Sequence, residues 1–549
     1  MGYQTLNPNA LRSLAMPIFF VIAVMVAVGL FVMVTSKGLV LAMAFGIFVA
    51  MLMCAMASAE AGLMCLLVAA YFEGLYKGVS ASLFTLLIKD FFIAIALLRL
   101  FFVSQRQRNF QWLQQPFTMA AVVFVIYCTA LMFAPSTRSM LLALAGFRAW
   151  ILWMPVYFPA YALFGSKRII IKFLTIVMLM QLPVNIYGII QGNIGYEHTR
   201  IIPGFYENAK WFRIGPEEAG PAGTGKGTSE GTSESFDSNF KPIMAVRACS
   251  IGISPGTFGA MCAVTILLAL GLLVYTASVP MRLWCLITAL SGAGGLLASG
   301  SRAPMVGLAV GVLAMVALSR RRVAAIGVLL VIVLGTVFVL KDISGGGVDR
   351  LRSKLSVAGA IERAMEPMKV GWESGMNHPF GNGIATGIGM GRVFYGAGLK
   401  TAEGSSFIEN EFGRAMSELG IVGASAWFIM ICSLLCYCIR AIRSLGNSPE
   451  AALCAALLGL MVTVFTQLAV GSALYSQPGM FFWIIGAAIL RLGQLKDQAQ
   501  PGQQPVAPPQ RRQKFGRIYL PPGETWHPSG TPWTPARPAP PAPDERKPA

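Results

Sequence analysis

Long apolar segments recur along most of this 549-residue chain, and polar stretches separate them. The hydrocarbon core of a bilayer is about 30 Å thick, so a spanning helix needs roughly 20 apolar residues at about 1.5 Å per residue. By this length the pattern predicts about 14 spanning helices, which makes the expected fold class all-α, a polytopic membrane bundle. Their expected positions are 16–34, 39–58, 61–75, 80–103, 116–134, 140–163, 169–190, 254–276, 283–297, 303–318, 323–340, 421–438, 452–470 and 480–490.

Composition agrees with this class, because 55% hydrophobic and 12% charged residues are too apolar for a soluble protein of this size. The first apolar segment has no small-residue cleavage site, so we expect a retained anchor and not a removed signal peptide. The formal net charge is +19, but no helix combines a basic stripe with interleaved aromatic residues. Nucleic-acid binding is therefore not expected.

Two polar inserts and a Pro-rich basic tail interrupt or follow the apolar segments. The first insert has a low-complexity middle typical of a flexible linker, and we expect the tail to be disordered. The chain is thereby divided into N-terminal membrane helices (1–190), a first insert (191–253), further membrane helices (254–340), a large second insert (341–417), C-terminal membrane helices (418–492) and the tail (493–549).

Basic residues in the short loops predict the orientation, since Lys and Arg are retained on the cytoplasmic side. Most of them fall on one side of the predicted bundle: Arg106, Arg108, Lys167, Arg168, Arg282, Arg320, Arg321, Arg322, Arg440 and Arg443. Both termini are then cytoplasmic, and both inserts lie outside. In a bacterium this describes a multi-pass protein of the inner membrane whose inserts are periplasmic.

Metal and cofactor chemistry are not expected from the residues available. The ten Cys form no recognisable framework, and all but Cys249 fall in predicted spans, where Cys behaves as a small hydrophobic residue. Only three His are present, too few for a His-rich metal site. The glycines at 381, 383, 387, 389 and 391 miss the spacing of a dinucleotide-binding loop and instead indicate close backbone approach.

Charged residues near or within the apolar segments are the candidate chemistry. Arg247 and Arg302 lie at the outer ends of predicted spans, where guanidinium groups could pair bidentately with a lipid-linked pyrophosphate. The alternative is that each is an interface anchor whose head group reaches the lipid surface. Lys89, Asp90 and Arg148 lie nearer helix middles, where internal pairing that holds helices together is expected.

Four segments carry a resemblance to the superfamily of O-antigen ligases and Wzy-type polysaccharide polymerases. LLASGSRAPMVGLAVGVL resembles its Ser-Arg helix, and VRACSIGISPGTFGAMCAV resembles an Arg-containing entry to the preceding helix pair. HPFGNGIATG resembles its Pro-x-Gly-x-Gly turn, and ENEFGRAMSELGIVG resembles a segment that opens with His-Asn and closes with Glu-x-Gly-x-x-Gly. LLIKDFFIAIALL is a weaker match.

The resemblance implies a GT-C-like, metal-independent glycosyltransferase that moves an undecaprenyl-pyrophosphate-linked glycan onto an acceptor at the periplasmic face. Glu409 stands where a ligase has His, which favours a polymerase of exopolysaccharide, capsule or O-antigen, because a carboxylate can also accept a proton. The expected catalytic residues are Glu409, Arg302 and Arg247, and the expected substrate-binding residues are Arg247, Arg302, His378, Glu411 and Arg414.

Other functions remain open from the sequence: an O-antigen ligase, a transporter of lipid-linked oligosaccharide, or a non-catalytic assembly subunit. A transporter is expected to show internal repeats and broken helices, and the sequence indicates neither. Glu409 could equally cap the helix that follows it. Expected partners are the lipid-linked glycan, membrane lipid, and the flippase and chain-length regulator of a polysaccharide pathway.

Overall fold

A computed structural model describes residues 39–73, 83–108, 110–134, 140–194, 250, 254–319, 357–384, 410–471 and 473–498. In these ranges the backbone forms α-helices and short 3₁₀-helices and no β-strand, so the all-α class is confirmed for the described part of the chain. The predicted spans 16–34 and 323–340 lie outside these residues, as do most of the first insert and the tail beyond residue 498.

The described α-helices are numbered here along the chain. In chain order they are α1 (Leu39–Ala57), α2 (Ala59–Tyr71), α3 (Leu83–Gln107), α4 (Pro116–Met132), α5 (Met140–Ile151), α6 (Tyr157–Leu163), α7 (Lys167–Ile194), α8 (Pro255–Tyr275), α9 (Val279–Ser299), α10 (Arg302–Leu318), α11 (Val357–Asn377), α12 (Glu411–Leu445), α13 (Pro449–Gln467) and α14 (Gln477–Gln498). Two 3₁₀-helices, Gln111–Leu113 and Met154–Val156, precede α4 and α6.

Six of the described helices, α7, α8, α9, α12, α13 and α14, are long and apolar enough to cross a membrane. Each contains or overlaps an apolar segment that the sequence predicts as a span. A helical membrane protein is therefore supported, whereas the full number of about 14 spans stays a prediction. Helix α12 begins at Glu411, well before the apolar segment 421–438, because its first turns are charged but buried.

Small residues allow α10 and α13 to pack with their backbones in close contact. A Cβ on Gly311 would lie 2.1 Å from Thr463 Oγ1 and 2.4 Å from the Gly459 carbonyl oxygen. Thr463 Oγ1 in turn donates a hydrogen bond to the Gly307 carbonyl at 3.0 Å. In lipid, where apolar surface supplies little driving force between helices, such close approach and interhelical hydrogen bonds hold a bundle together. This contact fixes the start of α10, and with it Arg302, beside the end of α13.

The charged residues near helix middles are paired, as the sequence predicts. Lys89 Nζ lies 2.6 Å from Glu73 Oε1, with both side chains buried, and its ammonium group lies 5.0 Å from the centre of the Trp153 ring. The Arg148 guanidinium binds the Asp90 carboxylate. These pairs join α3 to the end of α2 and to α5. Internal pairing of Lys89, Asp90 and Arg148 is confirmed, although the sequence did not identify Glu73 as a partner.

Candidate functional site

The start of α12 is a charged segment held against the loop that joins α13 to α14. Asn410 caps the helix, since its side chain accepts a hydrogen bond from the N–H three residues later. The backbone N–H of Glu411 donates to the Leu468 carbonyl at 2.9 Å. The Glu411 carboxylate accepts hydrogen bonds from the N–H groups of Ala473 at 3.1 Å and Leu474 at 2.9 Å. In this conformation Glu411 therefore fixes the loop to the helix.

One turn further along α12, a buried guanidinium lies between two aromatic rings. Arg414 Cζ is 4.1 Å from the centre of the Trp150 ring and 5.1 Å from that of Tyr475. Its Nε is 3.6 Å from Glu418 Oε1, which is ion-pair contact but too long for a hydrogen bond. Trp150 Nε1 donates to the other oxygen of Glu418 at 2.8 Å. We call these four residues the Arg414 cluster.

The Arg414 cluster is buried, and its hydrogen bonding among the described residues is incomplete. Arg414 is 2% exposed and Glu418 is fully buried. Within the described part of the chain, neither Nε nor Nη2 of Arg414 has a hydrogen-bond acceptor. The rings compensate in part, because a cation over an aromatic face gains about 0.5–2 kcal/mol. The cluster therefore supports the start of α12, while two guanidinium nitrogens have no acceptor among the described residues.

Immediately after this cluster, α12 is broken at Gly420, which has φ 67° and ψ −179°. The break leaves the Ser417 carbonyl and the Val422 N–H without their usual partners four residues away. Residues 378–383, which we call the 378–383 turn, supply replacements. The Asn382 N–H donates to the Ser417 carbonyl at 3.1 Å, and the Val422 N–H donates to the Pro379 carbonyl at 3.2 Å. The turn and the broken helix thus complete each other's hydrogen bonds.

Glycine is required on both sides of this contact. A Cβ on Gly381, where φ is 89°, would lie 2.2 Å from the Glu418 carbonyl oxygen. A Cβ on Gly420 would lie 2.2 Å from the Pro379 carbonyl oxygen. These distances are far shorter than van der Waals contact, and both φ values lie in the left-handed region that favours glycine. The prediction that Gly381 marks close backbone approach is confirmed.

A tyrosine from α4 secures the same junction. The Tyr127 hydroxyl donates to the Leu419 carbonyl at 2.7 Å and lies 3.1 Å from the carbonyl oxygen of Phe380. Its ring occupies the space beside Gly423, where a Cβ would lie 2.1 Å from Tyr127 Cε1. Three elements distant in sequence therefore meet at the Pro379-x-Gly381-x-Gly383 and Glu418-x-Gly420-x-x-Gly423 motifs.

Arg302 lies at the same end of the bundle as the start of α12. It is the first residue of α10 and is partly buried. A Cβ on Gly307, little more than one turn later, would lie 3.3 Å from the Gln467 side chain at the end of α13. The next residue, Leu468, is the one that accepts the Glu411 N–H. The end of α13 thus lies between the helix of Arg302 and the helix of Arg414.

Of the remaining predicted site residues, the structure describes His378 but not Glu409 or Arg247. His378 is exposed, and its backbone N–H bonds to the Ser374 carbonyl at the end of α11. Glu409 and Arg247 lie outside the described residues. The substrate-binding roles of His378, Glu411 and Arg414 stay predictions, because geometry shows only how their side chains are held.

Sequence reasoning missed Glu418, Trp150, Tyr475 and Tyr127 as parts of the site. The sequence did contain a signal for Glu418: it stands four residues after Arg414, the spacing at which two side chains on a helix can pair. The aromatic residues had none, because nothing local marks which ring covers a distant guanidinium. The sequence did not mark the break at Gly420, which directly precedes the predicted span 421–438 and is filled by the 378–383 turn. No protein-family model and no curated protein matches this chain.

Proposed function

We propose that this protein is a membrane-embedded glycosyltransferase that polymerises undecaprenyl-pyrophosphate-linked oligosaccharide repeat units. The observation that carries the proposal is the interlocking of the 378–383 turn with the break at Gly420. These are the two glycine motifs whose sequences resemble the superfamily of O-antigen ligases and Wzy-type polymerases. Their mutual contact gives a structural reason for both motifs, and this supports the resemblance.

The proposed reaction transfers a glycan from a pyrophosphate to a sugar hydroxyl. The acceptor oxygen forms a bond to the anomeric carbon, the bond from that carbon to the pyrophosphate oxygen breaks, and undecaprenyl pyrophosphate leaves. Such a step needs cations at the leaving group and a base for the hydroxyl proton. Arg302 and Arg247 are proposed to bind the pyrophosphate. Glu409, which directly precedes the Asn410 cap, is proposed as the base.

The proposed location is the bacterial inner membrane, with about 14 spans and both termini in the cytoplasm. Arg440 and Arg443 lie near the far end of α12, and the retention of basic residues favours a cytoplasmic position for that end. The start of α12, the 378–383 turn and Arg302 would then face the periplasm, where lipid-linked repeat units are joined. A flippase and a chain-length regulator are the proposed protein partners.

Glycan length in a deletion strain tests this proposal against its closest alternative. Loss of a polymerase leaves single repeat units, which are still attached wherever an acceptor exists. Loss of a ligase instead causes long lipid-linked polymer to accumulate, and that result would overturn the proposal in favour of ligation.

A purified system separates polymerisation from transport. The reconstituted protein, supplied with lipid-linked repeat units and no other protein, is expected to form polymer and to release undecaprenyl pyrophosphate. Movement of repeat units between leaflets without polymer formation would identify a transporter and reject the enzymatic proposal.

A further inference from the structure

Helix α11 presents a stripe of large apolar side chains on its exposed face. Met365, Trp372 and Met376 are 58%, 54% and 54% exposed. At about 100° per residue, their spacing puts all three within about 40° of arc on the helix surface. Phe380, in the turn that follows, extends the stripe and is 69% exposed.

A second face of α11, about 100° around the helix from the stripe, packs closely against α12. A Cβ on Gly371 would lie 2.4 Å from Gly413 Cα, and a Cβ on Gly375 would lie 2.8 Å from the Met416 carbonyl oxygen. The helix is therefore fixed in rotation, because only this glycine face can approach so near. The apolar stripe then lies to one side of the contact with α12, where it is exposed.

The stripe runs into a surface that a membrane protein turns toward lipid. Phe380 adjoins Tyr127 of α4, and Pro379 bonds to Val422 of α12. Most side chains exposed on α4 are apolar, among them Met119 at 72% and Ile126 at 62%. On α12, the large exposed side chains in the turns after the break are also apolar and include Val422, Phe428 and Ile429.

We infer that α11 is an interfacial helix that lies along the bilayer, on the side where α12 begins, with Met365, Trp372, Met376 and Phe380 inserted into lipid. Amphipathic helices of this kind bury their apolar face about 5–10 Å into the boundary between head groups and acyl chains. Tryptophan is enriched at that depth. The inference goes beyond the proposed reaction and does not depend on it.

The charges beside the stripe indicate what kind of lipid contact this is. Glu366, Lys369 and Glu373 are exposed next to the apolar residues, so the border carries two acidic groups and one basic group. Such a border supplies no attraction to anionic head groups, which basic clusters provide. Apolar insertion therefore has to supply the binding. Since α11 leads into the 378–383 turn, this contact also sets the height of that turn relative to the membrane.

Site-directed spin labelling of the full chain in phosphatidylcholine nanodiscs tests the inference. Cys54, Cys249, Cys432 and Cys436 are first replaced by Ala, and one label is attached through Trp372→Cys, Met376→Cys or Glu373→Cys. Labels at 372 and 376 are expected to collide several-fold more with oxygen, which concentrates in lipid, than with a water-soluble nickel chelate. The label at 373 is the matched control, because it neighbours Trp372 but lies outside the stripe, and it should show the reverse preference.

Three results would overturn the inference. Preference for the nickel chelate at both 372 and 376 would put the stripe in water. Exclusion of both reagents there would mean that another part of the chain covers it. Dipolar broadening between labels at 372 would identify a second copy as the occupant. Each variant must retain the unfolding temperature of the parent protein, and positions 372 and 376 provide independent readings if one substitution disturbs the fold.

Discussion

Two groups of buried charges lie between the helices, and their cations are bound differently. Lys89 meets Glu73 at 2.6 Å, the distance of a charge-assisted hydrogen bond. Arg414 is equally buried, yet its Nε is 3.6 Å from Glu418, and two of its nitrogens have no acceptor among the described residues. Unused donors on a buried guanidinium cost free energy, because the lost hydration is not replaced. We therefore expect loss of the Lys89 pair to affect folding, whereas a role of the Arg414 cluster in the proposed reaction stays a prediction.

The largest expected effect is on activity alone and concerns the proposed base, Glu409, which directly precedes the Asn410 cap. Glu409→Gln removes the proposed base while keeping the side chain's size, so polymer formation should fall about 10²- to 10⁴-fold. Protein abundance in the membrane should stay at the wild-type level. Polymer length and amount, measured in a deletion strain complemented with the variant, provide the readout. Wild-type polymer would remove Glu409 from the mechanism.

At the Lys89 pair the expected effect is on folding. Lys89→Met strands the Glu73 carboxylate in an apolar interior, and breaking a buried pair in this way costs about 3–5 kcal/mol. Membrane abundance and the unfolding temperature of the detergent-purified protein should both fall. The double variant Lys89→Met/Glu73→Leu removes both charges and should recover most of the loss.

A single Lys89→Met variant as stable as wild type would show that this pair does not hold α2 and α3 together. Polymer formation per molecule serves as the second measurement. It should be unchanged in the stable double variant, because the pair lies outside the proposed catalytic residues.

The contact between Gly420 and the 378–383 turn should depend on the free space around Gly420 as well as on its φ angle. Gly446 provides a matched control. Gly420 and Gly446 both have φ 67°, but a Cβ on Gly446 would have no neighbour nearer than Lys496 Nζ at 4.0 Å. Alanine at either position should cost about 1–3 kcal/mol of backbone strain. Gly420→Ala should cost about 1–3 kcal/mol more, because it drives a methyl group into Pro379.

Thermal unfolding of the two alanine variants measures this difference directly. Activity should separate them further, since only Gly420→Ala displaces the 378–383 turn. Equal stability and equal activity for Gly420→Ala and Gly446→Ala would mean that the interlock contributes nothing beyond local strain.

The smallest expected effect concerns the rings of the Arg414 cluster. Arg414→Lys keeps the charge but loses the planar group between Trp150 and Tyr475, which should cost about 1–2 kcal/mol and reduce polymer formation. Arg148→Lys is the control, because Lys can still pair with Asp90. Activity per folded molecule is compared for the two variants. Equal activity would mean that both arginines have the same structural role and would contradict a role of Arg414 in the proposed reaction.

Local sequence was sufficient for the membrane class and for the positions of the long helices. A run of about 20 apolar residues can satisfy its backbone hydrogen bonds in lipid only as a helix, so length and hydropathy carry the information. The same reasoning predicted that Lys89, Asp90 and Arg148 would be paired, because an unpaired charge between membrane helices is too costly. It could not choose Glu73 as the partner of Lys89, since that choice depends on which helices are adjacent.

Only the tertiary structure decided where α12 begins and how the glycine motifs are used. The first turns of α12 are too polar for a hydropathy pattern to predict a span there, because they contain Glu411, Arg414 and Glu418. These charged residues are accommodated because Trp150 and the 473–474 loop bury them and donate hydrogen bonds to the two carboxylates. The break at Gly420 is stable because the 378–383 turn accepts and donates the hydrogen bonds that the helix loses. Such compensation joins residues far apart in the chain, so no local pattern encodes it.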